Sequence, residues 1–177
     1  RQAGERGIAE LGVAEHIYRF NQALAVWDHD YGKLNAHDDI DAYCEYVRKD
    51  TDLKLGIEAD FVPGREEQMR DLLDARDWDY VVGSVHFVGH GAVDFAIYDA
   101  WTTARSADEL WTKYFTWLGE LAATGMYDIL AHPDLIKHWG RNDPNRPYPD
   151  KDVRHYFELA IEQIAASGMA VELSTAG

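Results

Sequence analysis

Asp79-Tyr80-Val81-Val82-Gly83-Ser84-Val85-His86-Phe87 reads as a near-continuous apolar run, the pattern of a strand buried on both faces. Such strands belong to parallel sheets covered by helices, and this one ends on a histidine. Three other segments share the arrangement. Ala14-Glu15-His16 closes a short strand over 11–16, Gly56-Ile57-Glu58 lies in a strand over 53–62, and Leu130-Ala131-His132-Pro133-Asp134 carries the end of a strand over 127–132. In a parallel sheet fed by helical crossovers all strands point the same way, so their C-terminal ends gather on one face. Three imidazoles and a carboxylate on that face are the donor set of a metal site.

The stretches between the strands carry helical periodicity. Ile40, Tyr43, Cys44 and Val47 recur at helical spacing, and Met69, Leu72 and Leu73 form the inner face of a helix over 65–75. Ser106-Ala107-Asp108-Glu109 is a capping box. It opens a helix whose stripe runs Leu110, Tyr114, Trp117, Leu118 and Leu121, with Gly125 placed for a left-handed cap. Val153, Tyr156, Phe157, Ala160, Ile161 and Ile164 predict one long helix ending at Gly168, and 169–174 is a fifth strand. The fold class is therefore α/β, with about five parallel strands and flanking helices, in an open sheet or as part of a barrel. The long segments 17–37, 88–105 and 133–150 each follow a strand end carrying a candidate ligand. Rich in Trp, Tyr, His, Arg and Asp, they are expected to build a substrate site.

A length of 177 residues fits a single domain, and 46% hydrophobic residues suffice for a core. The net charge of −15 argues against nucleic acid or an anionic membrane surface as partner. The single cysteine, Cys44, permits no intrachain disulfide and falls on a helix stripe as packing. No apolar run approaches the ~20 residues of a membrane span and no signal peptide is visible, so a cytoplasmic protein is expected.

Glu58 is the sharpest candidate, because a carboxylate inside Leu55-Gly56-Ile57-Glu58-Ala59-Asp60-Phe61 is costly to bury unless paired or metal-bound. The competing reading is a buried ion pair, yet Lys54 stands ~13 Å along the same strand face. Asp60 shares Glu58's face as a weaker candidate. Imidazole with carboxylate favours Mn, Fe or Zn over Mg or Ca. A site with several such ligands generates hydroxide at neutral pH and clamps phosphoryl oxygens, which points to metal-assisted hydrolysis of a phosphate ester. Arg19, Lys137 and Arg141 are the best-placed cations for an anionic substrate. His29, His37, His90, His138 and His155 are expected at the surface. GxSxG, a P-loop and GxGxxG after a strand are all absent, so serine-nucleophile and nucleotide-cradling readings have no support.

Gly12-Val-Ala-Glu-His16, Leu55 to Gly64, Trp78 to Phe87 and Asp128 to Lys137 resemble the PHP (polymerase and histidinol phosphatase) superfamily, most closely its histidinol-phosphatase branch. The resemblance runs over essentially the whole chain as one PHP-like domain, 1–177. It implies a distorted (βα)7 barrel holding two to three divalent metals, which hydrolyses L-histidinol phosphate in histidine biosynthesis. Carried over, Glu58 would bridge metals, His86 and His132 would share its metal, and His16 would serve another. Val171-Glu-Leu-Ser-Thr-Ala-Gly177 resembles a segment that commonly carries Asn where Ser174 stands.

The family pattern also has an N-terminal H-x-H strand and a C-terminal S-D-A-H segment that this sequence does not contain. On that resemblance the barrel is incomplete at both ends. Weak metal binding, low activity and association through open strand edges are then expected of these 177 residues. No catalytic residue is assigned within them. Two alternatives stand beside this reading: a PHP phosphoesterase acting on a nucleotide or sugar phosphate, and a non-catalytic α/β module with structural histidines.

Overall fold

The structure, a computed structural model, describes residues 2–173. Ser174 and the end of the predicted fifth strand lie outside the described residues. The elements in chain order are α1 (Gln2–Glu5), β1 (Gly12–His16), α2 (Asp30–Asn35), α3 (Ile40–Asp50), β2 (Lys54–Asp60), α4 (Glu66–Asp74) and β3 (Tyr80–Ser84). They continue as β4 (Phe87–Val88), β5 (Gly91–Ala92), α5 (Ala107–Ala123), β6 (Ile129–Leu130), α6 (Arg154–Phe157), α7 (Ile161–Ser167) and β7 (Ala170–Val171). The main sheet has the order β1-β2-β3-β6-β7 and β4 pairs with β5 apart from it. The expected α/β class with five strands is the one adopted. The chain divides into two compact units whose boundary falls between Val82 and Gly83.

In the first unit β1 and β2 pair in parallel, with Gly12 beside Lys54 and His16 beside Glu58. Register partners on neighbouring parallel strands project to one face, so the pairing alone brings the His16 and Glu58 side chains together. Lower on that face the ring of Tyr80 lies flat over Gly12 and Gly56. A Cβ on Gly56 would stand 2.4 Å from Tyr80 Cζ, so no larger residue fits beneath the ring. β3 begins alongside β2, where the Asp79 N–H donates to the Leu55 carbonyl. Across the outer side runs α3, capped by Asp39, whose carboxylate accepts from the Ala42 N–H. It buries Ile40 and Val47 and its Tyr43 hydroxyl donates to the Gly56 carbonyl at 2.9 Å.

In the second unit the Ala131 N–H donates to the carbonyl of Gly83 and β6 pairs in parallel with β7. α5 is the main covering helix. Ser106 Oγ accepts from the Glu109 N–H as the capping box predicts, and the helix is followed by Gly125 at φ 65°. Leu110, Tyr114, Leu118 and Leu121 are fully buried as expected, each contributing roughly 1.5–3 kcal/mol of transfer free energy. Trp111 and Phe115 are buried as well, which the single stripe did not predict. Their rings pack on Tyr148, Tyr156 and Phe157, so α5 is covered on two sides.

Two expected elements are divided. The apolar run through Phe87 is not one strand: β3 stops at Ser84, and Phe87–Val88 turns back against Gly91–Ala92. Both pieces are buried, so hydrophobicity alone cannot separate a strand from a strand plus hairpin. A Cβ on Gly91 would stand 2.4 Å from Ala100 Cα, and this close approach folds the hairpin onto the turn at Ala100–Thr102. The long helix predicted through Ile164 is likewise two, α6 and α7. Between them Leu159 and Ala160 donate to the carbonyls of Tyr156 and Phe157, three residues back, which tightens and ends the first helix. That turn packs on Gly119, where a Cβ would meet the Leu159 carbonyl oxygen at 3.1 Å.

Candidate metal centre

In the first unit His16 closes β1, and Glu58 stands two residues before the end of β2. His16 Nδ1 lies 3.5 Å from Glu58 Oε1, and the Glu58 side chain is 15% exposed. Asp60, at 4% exposure, lies two residues on and faces the same way. Lys54, the competing partner for Glu58, pairs instead with Glu10 at 3.4 Å. The His16 ring stacks on Tyr18 at 4.8 Å with an interplanar angle of 13°. Burial first, then a hydrogen bond with Tyr31 and the charges of Asp60 and Glu58, push the Tyr18 hydroxyl far above its ordinary range. That phenol therefore stays neutral beside the carboxylates. Trp27, Tyr31 and His29 extend the aromatic cluster.

His29 corrects the expectation of a surface position. It is buried, stacked on Trp27 at 4.6 Å, and its Nδ1 caps α2 by accepting from the Tyr31 N–H. The bare residue type at a loop position gave no sign of this; the neighbouring Trp27 and Tyr31 supply the packing. His155 is exposed, as expected.

In the second unit His86 and His132 come together, with ring centroids 4.9 Å apart. His86 is 8% exposed and follows β3 by two residues. His132 is the only non-glycine residue with positive φ among those described, at 26°. It precedes Pro133, which narrows its backbone choices further. The strain is held from both sides: the His132 N–H donates to Glu172 Oε2 at 2.8 Å, and its carbonyl accepts from Leu135 N–H and the Tyr114 hydroxyl. Backbone strain of this kind persists only where surroundings over-determine it. Glu172 and Tyr114 went unremarked in the sequence as groups acting on this histidine. For Glu172 a signal existed, since it too is a carboxylate at a strand end, just past β7.

The three candidate cations all have protein partners. Arg19 lies 3.9 Å from Glu15 and 3.5 Å from Asp38; Lys137 lies 3.4 Å from Asp134 and over the Phe157 ring; Arg141 lies over the Tyr148 ring. Exposed pairs of this kind are worth only ~0–1 kcal/mol, so a phosphate competes for such groups at small cost. The donors present, imidazole with carboxylate in one unit and paired imidazoles in the other, suit a divalent transition metal.

A sequence model of the PHP domain matches residues 1–176. Over 126 residues the chain is 36% identical to a protein of Deinococcus radiodurans named "Probable histidinol-phosphatase", a match covering 71% of this chain and 45% of that protein. The chain thus spans less than half the length of this curated relative. Its fold is similar to histidinol phosphate phosphatase of Lactococcus lactis, solved with zinc, L-histidinol and phosphate, with a TM-score of 0.61 at 16% identity. That likeness covers 97% of this chain and 64% of the other. A candidate histidinol phosphatase of Listeria monocytogenes is also similar, at TM-score 0.71 and 15% identity, over 98% of this chain and 74% of the other. At these identities the solved structures speak to fold alone.

Proposed function

This chain belongs to the PHP domain family, and from that premise we propose that it is part of a metal-dependent phosphomonoesterase that hydrolyses L-histidinol phosphate to L-histidinol and phosphate in histidine biosynthesis. One family model spanning both compact units supports reading them as a single functional domain. The observation that carries the proposal is the His16–Glu58 pair, an imidazole and a nearly buried carboxylate set side by side by strand register. A carboxylate held at low exposure is costly unless it is paired or metal-bound, and a divalent cation beside the imidazole offsets that cost. His16, Glu58, His86 and His132 are the proposed ligands, for Mn, Fe or Zn. When bound, the metal supplies a hydroxide nucleophile at neutral pH and neutralises charge on the phosphoryl oxygens.

The chain's own groups do the rest. Arg19, Lys137 and Arg141 leave weak surface pairings to attract and orient the phosphate. Tyr18 fixes the His16 ring by stacking, and its hydroxyl remains protonated, a neutral neighbour for the carboxylates. Glu172 and Tyr114 hold the His132 backbone. Among the described residues no helix is long and apolar enough to cross a membrane. A cytoplasmic location is part of the same proposal.

The test is phosphate release from L-histidinol phosphate, set against nucleotide and sugar phosphates, with Mn, Fe or Zn supplied. Preference for L-histidinol phosphate is expected, and Glu58→Gln should lose metal by more than the ~10–100-fold typical of outer-sphere partners. Preference for another phosphate moves the substrate within the family. A protein that retains no metal overturns the hydrolase reading.

A further inference from the structure

Two loops of the second unit, 88–105 after His86 and 133–150 after His132, are joined through one guanidinium. Arg146 Nε lies 2.8 Å from Asp99 Oδ2, and its other arm donates to Asp143 Oδ2 at 2.8 Å. Its plane stacks over Trp139 at 3.7 Å from the ring centroid. The Trp139 indole N–H donates to the Val93 carbonyl at 2.7 Å, and the Val93 N–H donates to the carbonyl of His86 at 2.9 Å. Asp99 and Arg146 are 9% and 13% exposed, so this is no solvated surface pair. The contrast is Arg105 with Glu109, 3.9 Å apart with the arginine 91% exposed. A planar guanidinium that hydrogen-bonds one carboxylate, lies in ion-pair contact with a second and stacks on an indole is chemistry specific to arginine.

We infer that Arg146 is a positioning residue that fastens the segment following His132 to the segment following His86, and so sets how these two imidazoles present to a metal ion. The inference rests on the reading of His86 and His132 as ligands. From the guanidinium to the His86 backbone the path is Trp139 and Val93; from the other side it is the 133–146 segment itself. Neither path uses a group that touches the metal. Loosening it therefore changes ligand geometry without removing a ligand, as outer partners of metal sites do.

The experiment uses the whole chain with Zn2+ for affinity, by equilibrium dialysis, and Co2+ for its visible absorption, which reports ligand geometry. Arg146→Gln, Arg146→Lys and Trp139→Phe are compared with His86→Ala and His132→Ala, with folding followed by circular dichroism. Arg146→Gln and Trp139→Phe should weaken Zn2+ about 10–100-fold and alter the Co2+ spectrum. Arg146→Lys should recover only part of either, because an ammonium cannot grip both carboxylates and stack. A folded Arg146→Gln with unchanged Zn2+ affinity and Co2+ spectrum overturns the inference. If Arg146→Gln fails to fold, Trp139→Phe, which removes one donor and keeps the ring, decides by the same readouts. Unchanged metal binding in His86→Ala and His132→Ala is a separate result: it removes the ligand reading, and the inference with it.

Discussion

His132 carries both a candidate ligand and the one strained non-glycine backbone of the described chain. The two roles separate by substitution. His132→Gly and His132→Ala both remove the imidazole, but only glycine relieves the positive φ. Metal-free His132→Gly should therefore be more stable than His132→Ala by about 1 kcal/mol in urea unfolding, while both lose metal equally. Equal stabilities would mean that the conformation costs nothing. At this scale the sequence was informative where a residue's cost of burial is high. Glu58 could be singled out because a carboxylate amid apolar neighbours demands a partner, and it has one in His16. His29 could not, since its burial comes from stacking on Trp27, a tertiary arrangement that no local spacing encodes.

The elements were legible wherever a periodic stripe or a cap was written into consecutive residues. α5 is capped by Ser106 and gives way to Gly125 as expected, because caps are local chemistry. The divided α6 and α7 were not legible, since the break depends on close approach to Gly119 from another helix. Close approach also governs β2. Gly56→Ala should cost about 1–3 kcal/mol, because its methyl must displace the Tyr80 ring. Chemical denaturation checks this, and Tyr80→Ala in the same chain should recover part of the loss.

α3 offers a pH test. Burial, reinforced by Tyr80 and Glu15, pushes the Tyr43 hydroxyl up to about 12, although its hydrogen bonding opposes the shift. The folded chain then holds this proton where the unfolded chain releases it. Tyr43's contribution to stability is complete below pH 10 and is lost as pH rises through about 12. Urea midpoints of the parent and Tyr43→Phe should converge over that interval; a constant difference would contradict the assignment.

For the whole molecule, the α/β class with five strands followed from alternating strands and helices, whereas the strand order and the division into two units followed from nothing in the composition. The net charge of −15 makes cation binding a stabilising event beyond its local contacts. Zinc at 100 times its dissociation constant should add ~2.7 kcal/mol of stability, or roughly 5–10 °C in melting temperature. Scanning calorimetry with zinc and with a chelator measures it, and Glu58→Gln should show little of the shift.

The hairpin of β4 and β5 has one further implication, for how this chain can diverge. Gly89 at its tip has open space around it at φ 67°, whereas Gly91 meets the backbone of Ala100. Two glycines separated by a single histidine thus stand under opposite constraints. The first accepts asparagine or a spliced-in peptide and so admits novelty, while the second is frozen against even a methyl group. Variation, natural or engineered, enters this corner of the protein by the outer position alone.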